Sequence, residues 1–472
     1  MMVQEKTTDF KSLEKEIYGF VHMLGRELMR NALEKWDREL HRTRDQSVYR
    51  DKGLRPTVSK TLMGEVEYSR HVYIYRDEAD RNCTIYLLDK AMGRSKYGFL
   101  SEALMERIAA TICDSPYRAT AEAISELSGQ TLSHMAVWNA VQAMGKHIGQ
   151  REEADAELAR QEKGRGELES KVLFEEQDGV WISLQGKDRK ENGKSKEMKV
   201  SIAYNGAEKT GKKRYTLTDK VACANFENAK AFHRRKEGVI AAKYNTDEIE
   251  HRILNGDGAL WIKRSAEDEN AYYQLSQFHR NQAVIKVVKD KEARKTIFKL
   301  LYGKQIGDAL LCIDTLANSA EDEEESEALR GLYEYFSNNM DGLIPYHRRG
   351  LKLPEPPPGK VYRRCGAMES NIFTIIGNRM KGKRRNWSIA GGDNMARLLC
   401  LRTTGRLHEA SKCFASVIGE RYTKEVIAEL SAAGIGPRVG TGYNGFTMAD
   451  VPTLLPWLKD MAKLRPLSEL RF

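Results

Sequence analysis

The chain has 472 residues, with 77 Lys and Arg against 67 Asp and Glu, a formal charge of +10 and a sequence pI near 9.0. Hydrophobic residues at 41% and charged residues at 31% describe a globular protein with material for a sizeable core. They exclude extended disorder, and the ordinary Gly (37) and Pro (11) contents exclude collagen-like and proline-rich classes. No run approaches the ~18 uninterrupted apolar residues of a spanning helix, and the charged start MMVQEKTTDFKSLEKE does not suit a signal peptide, so no membrane association is expected.

Seven cysteines (Cys83, Cys113, Cys223, Cys312, Cys365, Cys400 and Cys413) are scattered, odd in number and never in a C-x-x-C pair. That argues against a disulfide framework or a Cys-rich zinc site and favours a reducing compartment. The basic balance favours a polyanionic partner, and the length suggests about three domains.

Residues 9–45 read as one long amphipathic helix, with Phe10, Leu13, Ile17, Phe20, Val21, Leu24, Leu28 and Leu33 at 3- and 4-residue spacing. It either packs on its own domain or mediates self-association. Residues 57–88 change period: Thr57–Ser59, Gly64–Tyr68, His71–Tyr75 and Cys83–Leu88 suggest a small antiparallel sheet. From Ser101 to Ile148 the pattern is helical again. A short helix over Tyr117–Leu127, a Ser128-Gly129-Gln130 turn and a second helix capped by Ser133 have the layout of a helix-turn-helix. In a DNA-binding version, Ser133, His134 and Asn139 lie on or near the recognition helix; many helical hairpins bind no DNA.

Residues 151–170 are charged, lack an apolar stripe and read as a helical linker. Beyond them, strands are expected at Val172–Phe174 and Val180–Leu184 around a short acidic stretch, at Met198–Tyr204 and at Arg214–Thr218. A helix near Asp247–Arg252, then Ile253-Leu254 and a further strand at Tyr272–Leu275, complete an α/β pattern. Residues 278 to about 339 are helical, with the acidic run 321–327 as a solvated face, and LPEPPPGK at 353–360 ends this insertion. A last helix is expected from about Gly366.

Two acids share a design. Asp178 lies in Phe174-Glu-Glu-Gln-Asp-Gly-Val-Trp-Ile182, and Asp257 in Leu254-Asn-Gly-Asp-Gly-Ala-Leu-Trp-Ile262. A carboxylate is a hard oxygen ligand suited to Mg²⁺, and an adjacent Gly permits close approach; Asp-Gly is equally a common turn dipeptide. A third acid, Glu369, sits among Arg348, Arg349, Lys352, Lys360, Arg363, Arg364, Arg379, Lys381, Lys383, Arg384 and Arg385. Such a block attracts phosphates. Trp387 at its edge suits either stacking on an unpaired base or a place in the core. Gly440-Thr-Gly-Tyr-Asn-Gly445 matches G-x-G-x-x-G but leaves no room for a βαβ unit, and there is no H-E-x-x-H.

The tract G-A-M-E-S-N-I…I-G-N-R-M-K…W-S, with D-G-V-W-I and G-D-G-A-L-W-I upstream, resembles the ISLre-two family of bacterial insertion-sequence transposases. These are DDE enzymes with an RNase H-like core, distantly Mutator-like. The resemblance implies that Asp178, Asp257 and Glu369 are the catalytic and metal-binding acids, holding two Mg²⁺ (or Mn²⁺) for DNA cleavage and strand transfer. Related Mutator-like enzymes carry an acid or Cys, two residues, then His after the second acid; here Ser276-Gln-Phe-His279 keeps only the His, leaving His279 as an accessory residue or a structural helix cap. Double-stranded DNA is the implied partner, met by Arg363, Arg364, Arg379, Lys381, Lys383, Arg384, Arg385 and Trp387 as well as the helix-turn-helix. A homodimer or higher oligomer in the bacterial cytoplasm, at the nucleoid, is also implied. The expected organisation is a helix (1–56), a small β region (57–100), a helix-turn-helix (101–150), a linker (151–170), an α/β RNase H-like core (171–277) with an all-α insertion (278–360), a final core helix (361–400) and a C-terminal region (401–472). A non-catalytic DNA-binding derivative and an RNase H-like nuclease without strand transfer are the alternatives.

Overall fold

A computed structural model describes residues 9–92, 100–382 and 384–411. Lys383, Cys413 and the Gly440–Gly445 motif lie outside the described residues. The chain divides into two compact units, residues 1–107, 121–133 and 411 onward in one and 108–120 and 134–410 in the other.

The first unit begins with helix α1, Phe10–Thr43, whose N-cap Asp9 accepts a hydrogen bond from the Ser12 amide at 2.8 Å. Strands β1 (Arg50–Thr61), β2 (Gly64–Arg76) and β3 (Asn82–Ile85) form an antiparallel sheet in sequential order, followed by helix α2, Leu87–Ala91. Leu87 and Leu88, expected in a strand, belong to α2. Leu88 joins Leu33, Val66 and Tyr68 in a core packed by Trp36 and Leu40. The C-terminal half of α1 is therefore tied to the sheet, whereas Phe10, Ile17, Tyr18 and Val21 nearer its start are exposed.

Helices α3 (Glu102–Ile112) and α4 (Tyr117–Ser128) each straddle the division between units. Gly129 follows α4 with φ +59°, the left-handed conformation that favours glycine. Helix α5 runs from His134 to Arg160, so the residues expected to open a linker continue the helix. Its polar residues there are paired, Glu152 with Arg397 at 3.2 Å and Glu153 with Arg235 at 3.2 Å, and small residues allow close contact nearby. Gly145 lies against Asn394, and Ala156 against Gly238, where a Cβ would meet backbone at 2.4 Å.

The second unit is built on a five-stranded sheet. Its elements are β4 (Val172–Ser183), α6 (Gly186–Asn192), β5 (Ser195–Tyr204), the hairpin β6–β7 (Ala207–Lys209, Tyr215–Leu217), β8 (Val221–Asn225), α7 (Ala229–Ala241), β9 (His251–Gly256), α8 (Leu260–Asp268) and β10 (Tyr272–Leu275). The sheet order is β10-β9-β4-β5-β8, with β5 antiparallel to both neighbours and β4, β9 and β10 mutually parallel. Three expectations change. β4 is one continuous strand through its acids, which are buried inside it. Arg214–Thr218 pairs only in the small hairpin, and the third sheet strand is Val221–Asn225 instead. The helix expected near Asp247–Arg252 is a short 3-10 turn at Thr246–Glu248 leading into β9, and the crossover helix is α7, capped by Asn228 on the Ala231 amide.

Side chains alternate along β4. Leu173 faces α7 with Ile240 and Tyr244, while Phe174 faces the opposite side among Tyr204, Tyr346 and Tyr362, with ring centroids 5.3–5.5 Å away. Helices α9 (Gln277–Val287), α10 (Lys291–Tyr302), α11 (Ile306–Ser319) and α12 (Glu323–Ser337) make the expected helical insertion around its own core of Val284, Ile297, Leu301, Ile313, Leu329 and Phe336. The acidic run supplies the first turn of α12, where carboxylates suit the helix dipole. The final segment is broken: α13 (Met368–Ile372), a π-helical turn (Phe373–Gly377), α14 (Asn378–Met380) and then α15 (Ile389–Thr403), capped by Ser388 on the Gly391 amide.

Candidate active site

The parallel pairing of β4 with β9 runs from Val172↔His251 to Glu176↔Asn255, a constant offset of 79 residues. Asp178 and Asp257 differ by the same 79, each lying two residues past the last pair of this register, and the Asp257 charge acts on the Asp178 carboxyl. Asp257 sits just beyond the end of β9, where the chain turns: its carboxylate accepts the Ala259 amide at 2.9 Å, and Gly258 adopts φ +96°. A side chain at Gly258 would also collide with Tyr335 and Asn339. The Tyr335 hydroxyl donates to the Asp257 carbonyl at 2.6 Å, so the helical insertion braces the loop carrying the second acid.

Glu369 comes from α13, whose position depends on a residue that sequence reasoning passed over. Glu176, fully buried on β4 and on the same face as Asp178, accepts the backbone N–H groups of Gly366, Ala367 and Met368 at 2.9–3.3 Å. It also accepts the Tyr204 hydroxyl at 2.7 Å and Asn255 Nδ2 at 3.0 Å. Burial pushes its carboxyl upward, opposed by these donors. A strand carboxylate thus holds the N-terminus of the helix bearing the third acid. The row extends through Asn255 to Gln274 on β10, and from Gln274 to the Tyr346 amide.

Ser276, the first residue of the Ser-x-x-His pattern, is buried, and its hydroxyl donates to Glu369 Oε1 at 3.1 Å. His279 Nε2 lies 3.8 Å from Asp178 Oδ2. The Ser-x-x-His pattern therefore touches two of the three acids. A consecutive acid pair inside an apolar strand and a Ser three residues before a His were the available signals for Glu176 and Ser276.

Electrostatics ties the acids together. Burial pushes the Asp178 carboxyl up to about 6; His279 opposes the rise, and the negative charges of Asp257 and Glu369 add to it, while the Gly179 amide stabilises the ionised form at 2.7 Å. The donor set is all oxygen and fits a hard divalent cation. Among the described residues, the two clusters that bring three ligand atoms within 4.8 Å of one another lie elsewhere, at Glu175/Glu237/Glu269 and at His41/Asp51/His71.

The residues expected to meet DNA separate into two groups. Arg363, Arg364, Lys381 and Arg384 are exposed, Arg363 lying flat over the Tyr215 ring at 4.0 Å. Arg379 and Trp387 are buried and correct the expectation. Arg379 Nε donates to the Ile112 carbonyl at 2.7 Å with its guanidinium over Trp387, and Trp387 Nε1 donates to the Met380 carbonyl. Arg385 is half-buried on the carbonyls of Asn378 and Arg379, and Lys360 pairs with Asp219 at 2.6 Å. Desolvating Arg379 and pairing Lys360 removes both from any phosphate-binding face. Ser133, His134 and Asn139 are exposed at the start of α5.

The fold and these residues define a mixed α/β protein in which the charges of Asp257 and Glu369 both act on Asp178 of the central strand. The chain belongs to the uncharacterised protein family UPF0236, whose model matches residues 3–414. The Streptococcus gallolyticus "UPF0236 protein in vanSb 3'region" is 25% identical over 462 residues, 94% of this chain and 96% of its own. Two UPF0236 proteins of Caldanaerobacter subterraneus subsp. tengcongensis are 23% identical over 387 and 405 residues, 81% and 85% of this chain and 75% and 80% of theirs. No helix among the described residues is long and apolar enough to cross a membrane.

Proposed function

We propose that this protein is a DNA transposase of the ISLre-two type, in which Asp178, Asp257 and Glu369 hold two Mg²⁺ or Mn²⁺ ions on an RNase H-like core. The observation that carries the reading is the shared 79-residue offset, which aligns Asp178 with Asp257 while Glu176 docks the helix of Glu369 on the same strand face. Numbered by chain order, the sheet reads 3-2-1-4-5 with only the second strand antiparallel, the arrangement expected of an RNase H-like core. A relative's name adds support: one Caldanaerobacter protein carries eleven locus designations within a single strain, and another carries four. A sequence present at many loci is what a self-propagating element leaves behind.

Bound at the three acids, a pair of divalent ions would activate the attacking oxygen and stabilise the leaving one in an in-line phosphoryl transfer. The chain supplies the rest. Asp178, whose carboxyl feels the charges of both Asp257 and Glu369, would be one of the residues holding the ions. Ser276 orients Glu369, and His279 stands beside Asp178 where it can exchange a proton or contact a phosphate. Arg363, Arg364, Lys381 and Arg384 offer exposed cations for the DNA backbone, and the exposed start of α5 offers Ser133, His134 and Asn139 to base edges. Two DNA ends must be brought together, so a dimer or larger assembly is expected, with the exposed apolar residues at the start of α1 as one contact.

The test is incubation of purified protein with its element's end sequences and Mg²⁺, scoring nicks and joined strands. Both products, lost in Asp178→Asn, support transposition. Nicks without joining indicate a nuclease, and binding without either indicates a non-catalytic DNA-binding protein.

A further inference from the structure

The first unit carries a second constellation of ligating side chains, unrelated to the three acids. His41 lies in the last turn of α1, Asp51 near the start of β1 and His71 in the middle of β2, and one ligand atom from each falls within 4.8 Å of the others. Their surroundings resemble an outer coordination shell. Asp37, one turn before His41 and 1% exposed, receives His71 Nδ1 at 2.6 Å and the His71 backbone N–H at 3.1 Å. A carboxylate fixed on Nδ1 selects the tautomer that leaves the Nε2 lone pair free and raises its basicity, as in carboxylate–histidine–zinc arrangements. The Tyr73 hydroxyl lies 3.3 Å from His41 Nδ1. Asp51 is presented by a β-bulge between Asp51 and Leu54. There the Gly53 amide, at φ +86°, donates to Oδ1 at 2.9 Å.

We propose that His41, His71 and Asp51 form a transition-metal site, taking Zn²⁺ or a similar first-row divalent ion through two imidazole nitrogens and one carboxylate oxygen. Two nitrogens with one oxygen suit Zn²⁺ and disfavour Mg²⁺, which seeks oxygen ligands, so this site and the three acids of the core are sorted by ligand chemistry. Three protein ligands leave a fourth position for water or another ligand. The two imidazoles now lie stacked, centroids 4.0 Å apart and planes 21° from parallel. Lone pairs lie in the ring planes, so a shared ion requires one ring to turn about its Cβ–Cγ bond. His41 is the ring free to do so, since its contact with Tyr73 is long while His71 is held by Asp37. Arg44 is the nearby opposing charge, but its Nε and Nη1 are directed to the Tyr49 and His41 carbonyls. The ion would join the end of α1 to both long strands of the sheet.

The contrast with the other close cluster is instructive. Among Glu175, Glu237 and Glu269, the Lys236 ammonium already occupies the centre, 2.7, 3.1 and 2.5 Å from the three. Among the described residues, no lysine or arginine is ion-paired with Asp51 in that way.

The test uses the full chain stripped of metal by a chelator, titrated with Co²⁺ and Zn²⁺ in excess Mg²⁺, which saturates oxygen-only sites. One Co²⁺ per chain with the intense visible bands of tetrahedral coordination, displaced by Zn²⁺, is expected. A Zn²⁺-dependent rise in Tm should accompany it. His41→Ala and Asp51→Asn, both at partly accessible positions and both checked for native circular dichroism, should each weaken binding about tenfold or more and abolish the bands. Asp178→Asn should leave them unchanged. Absence of bands in the parent protein, or bands that persist in folded His41→Ala, would overturn the assignment.

Discussion

Neighbouring residues of β4 serve two acidic clusters on opposite faces of one sheet, and the clusters differ in where their counter-charge comes from. On the α7 face, Glu175 meets Glu237 and Glu269, and the chain brings its own cations: Lys236 at the centre and Arg252 bonded to Glu237 at 2.8 Å. Burial pushes Glu269 up to about 8 against the pull of Lys236, so three carboxylates, two cations and one proton come to a neutral set. On the opposite face, among the described residues, no Lys or Arg is ion-paired with Asp178, Asp257 or Glu369, and His279 lies 3.8 Å from Asp178. An acid cluster closed by its own lysine and arginine has its charge balanced internally; one without such a pair is suited to a cation from outside.

The largest effect that would sharpen this contrast is catalytic. Asp178→Asn or Asp257→Asn should lower DNA cleavage by ~10³-fold or more, since several kcal/mol of transition-state stabilisation depend on these ligands. The fold, followed by urea unfolding, should persist. On the other face the outcome reverses: Lys236→Met should cost ~3–5 kcal/mol of stability by stranding buried carboxylates. Replacing Glu175 and Glu269 by Leu in the same protein should recover much of that loss. If Lys236→Met were neutral in urea titrations, the division into structural and open clusters would fail.

A subtler effect concerns stability without ions. The folded-state value of Asp178, about 6, lies above the ordinary aspartate value of 3.8, so between these values the folded protein holds a proton that the unfolded chain has lost, and stability falls as pH rises through that window. The penalty is complete above pH ~6 and amounts to about 2–3 kcal/mol at most. Asp178→Asn should therefore stabilise the ion-free protein at pH 8 and not at pH 3.5, and Mg²⁺ should narrow the gap by stabilising the parent alone. Smallest is Ser276→Ala. Loss of one hydrogen bond to a carboxylate, worth ~1 kcal/mol, should raise the Mg²⁺ concentration for half-maximal cleavage by up to about tenfold.

Much of the α/β pattern was legible because it rests on local periodicity. The helical insertion shows the 3- and 4-residue spacing that its own core requires, and β9 and β10 end where Gly or Ser follows apolar residues. Of the elements that escaped, two show why. In α7 the inward face includes Arg235 and Lys236, which are buried through partners on other segments, so the apolar stripe looks broken. In β8 the run Val-Ala-Cys-Ala-Asn is too short and small-sided to stand out, although it is wholly buried. The two Asp-Gly sites drew attention to Asp178 and Asp257 through their shared context. By contrast, Glu175 and Glu176 seemed to interrupt a strand because their partners, Lys236 and the α13 amides, are remote in sequence.

From the sequence alone came the soluble-type composition, the order of helical and β segments and the three acids as candidates, because hydrophobic spacing and residue chemistry are local properties. Only the tertiary structure decided which charges are spent and which are open. Arg379 and Trp387 went into the interior through carbonyls at Ile112 and Met380. Glu176 took on the α13 N-terminus, and Lys236 filled the opposite cluster. Burial and pairing arise between segments far apart in the chain, and the field at a carboxylate depends on what the fold brings within a few ångströms of it.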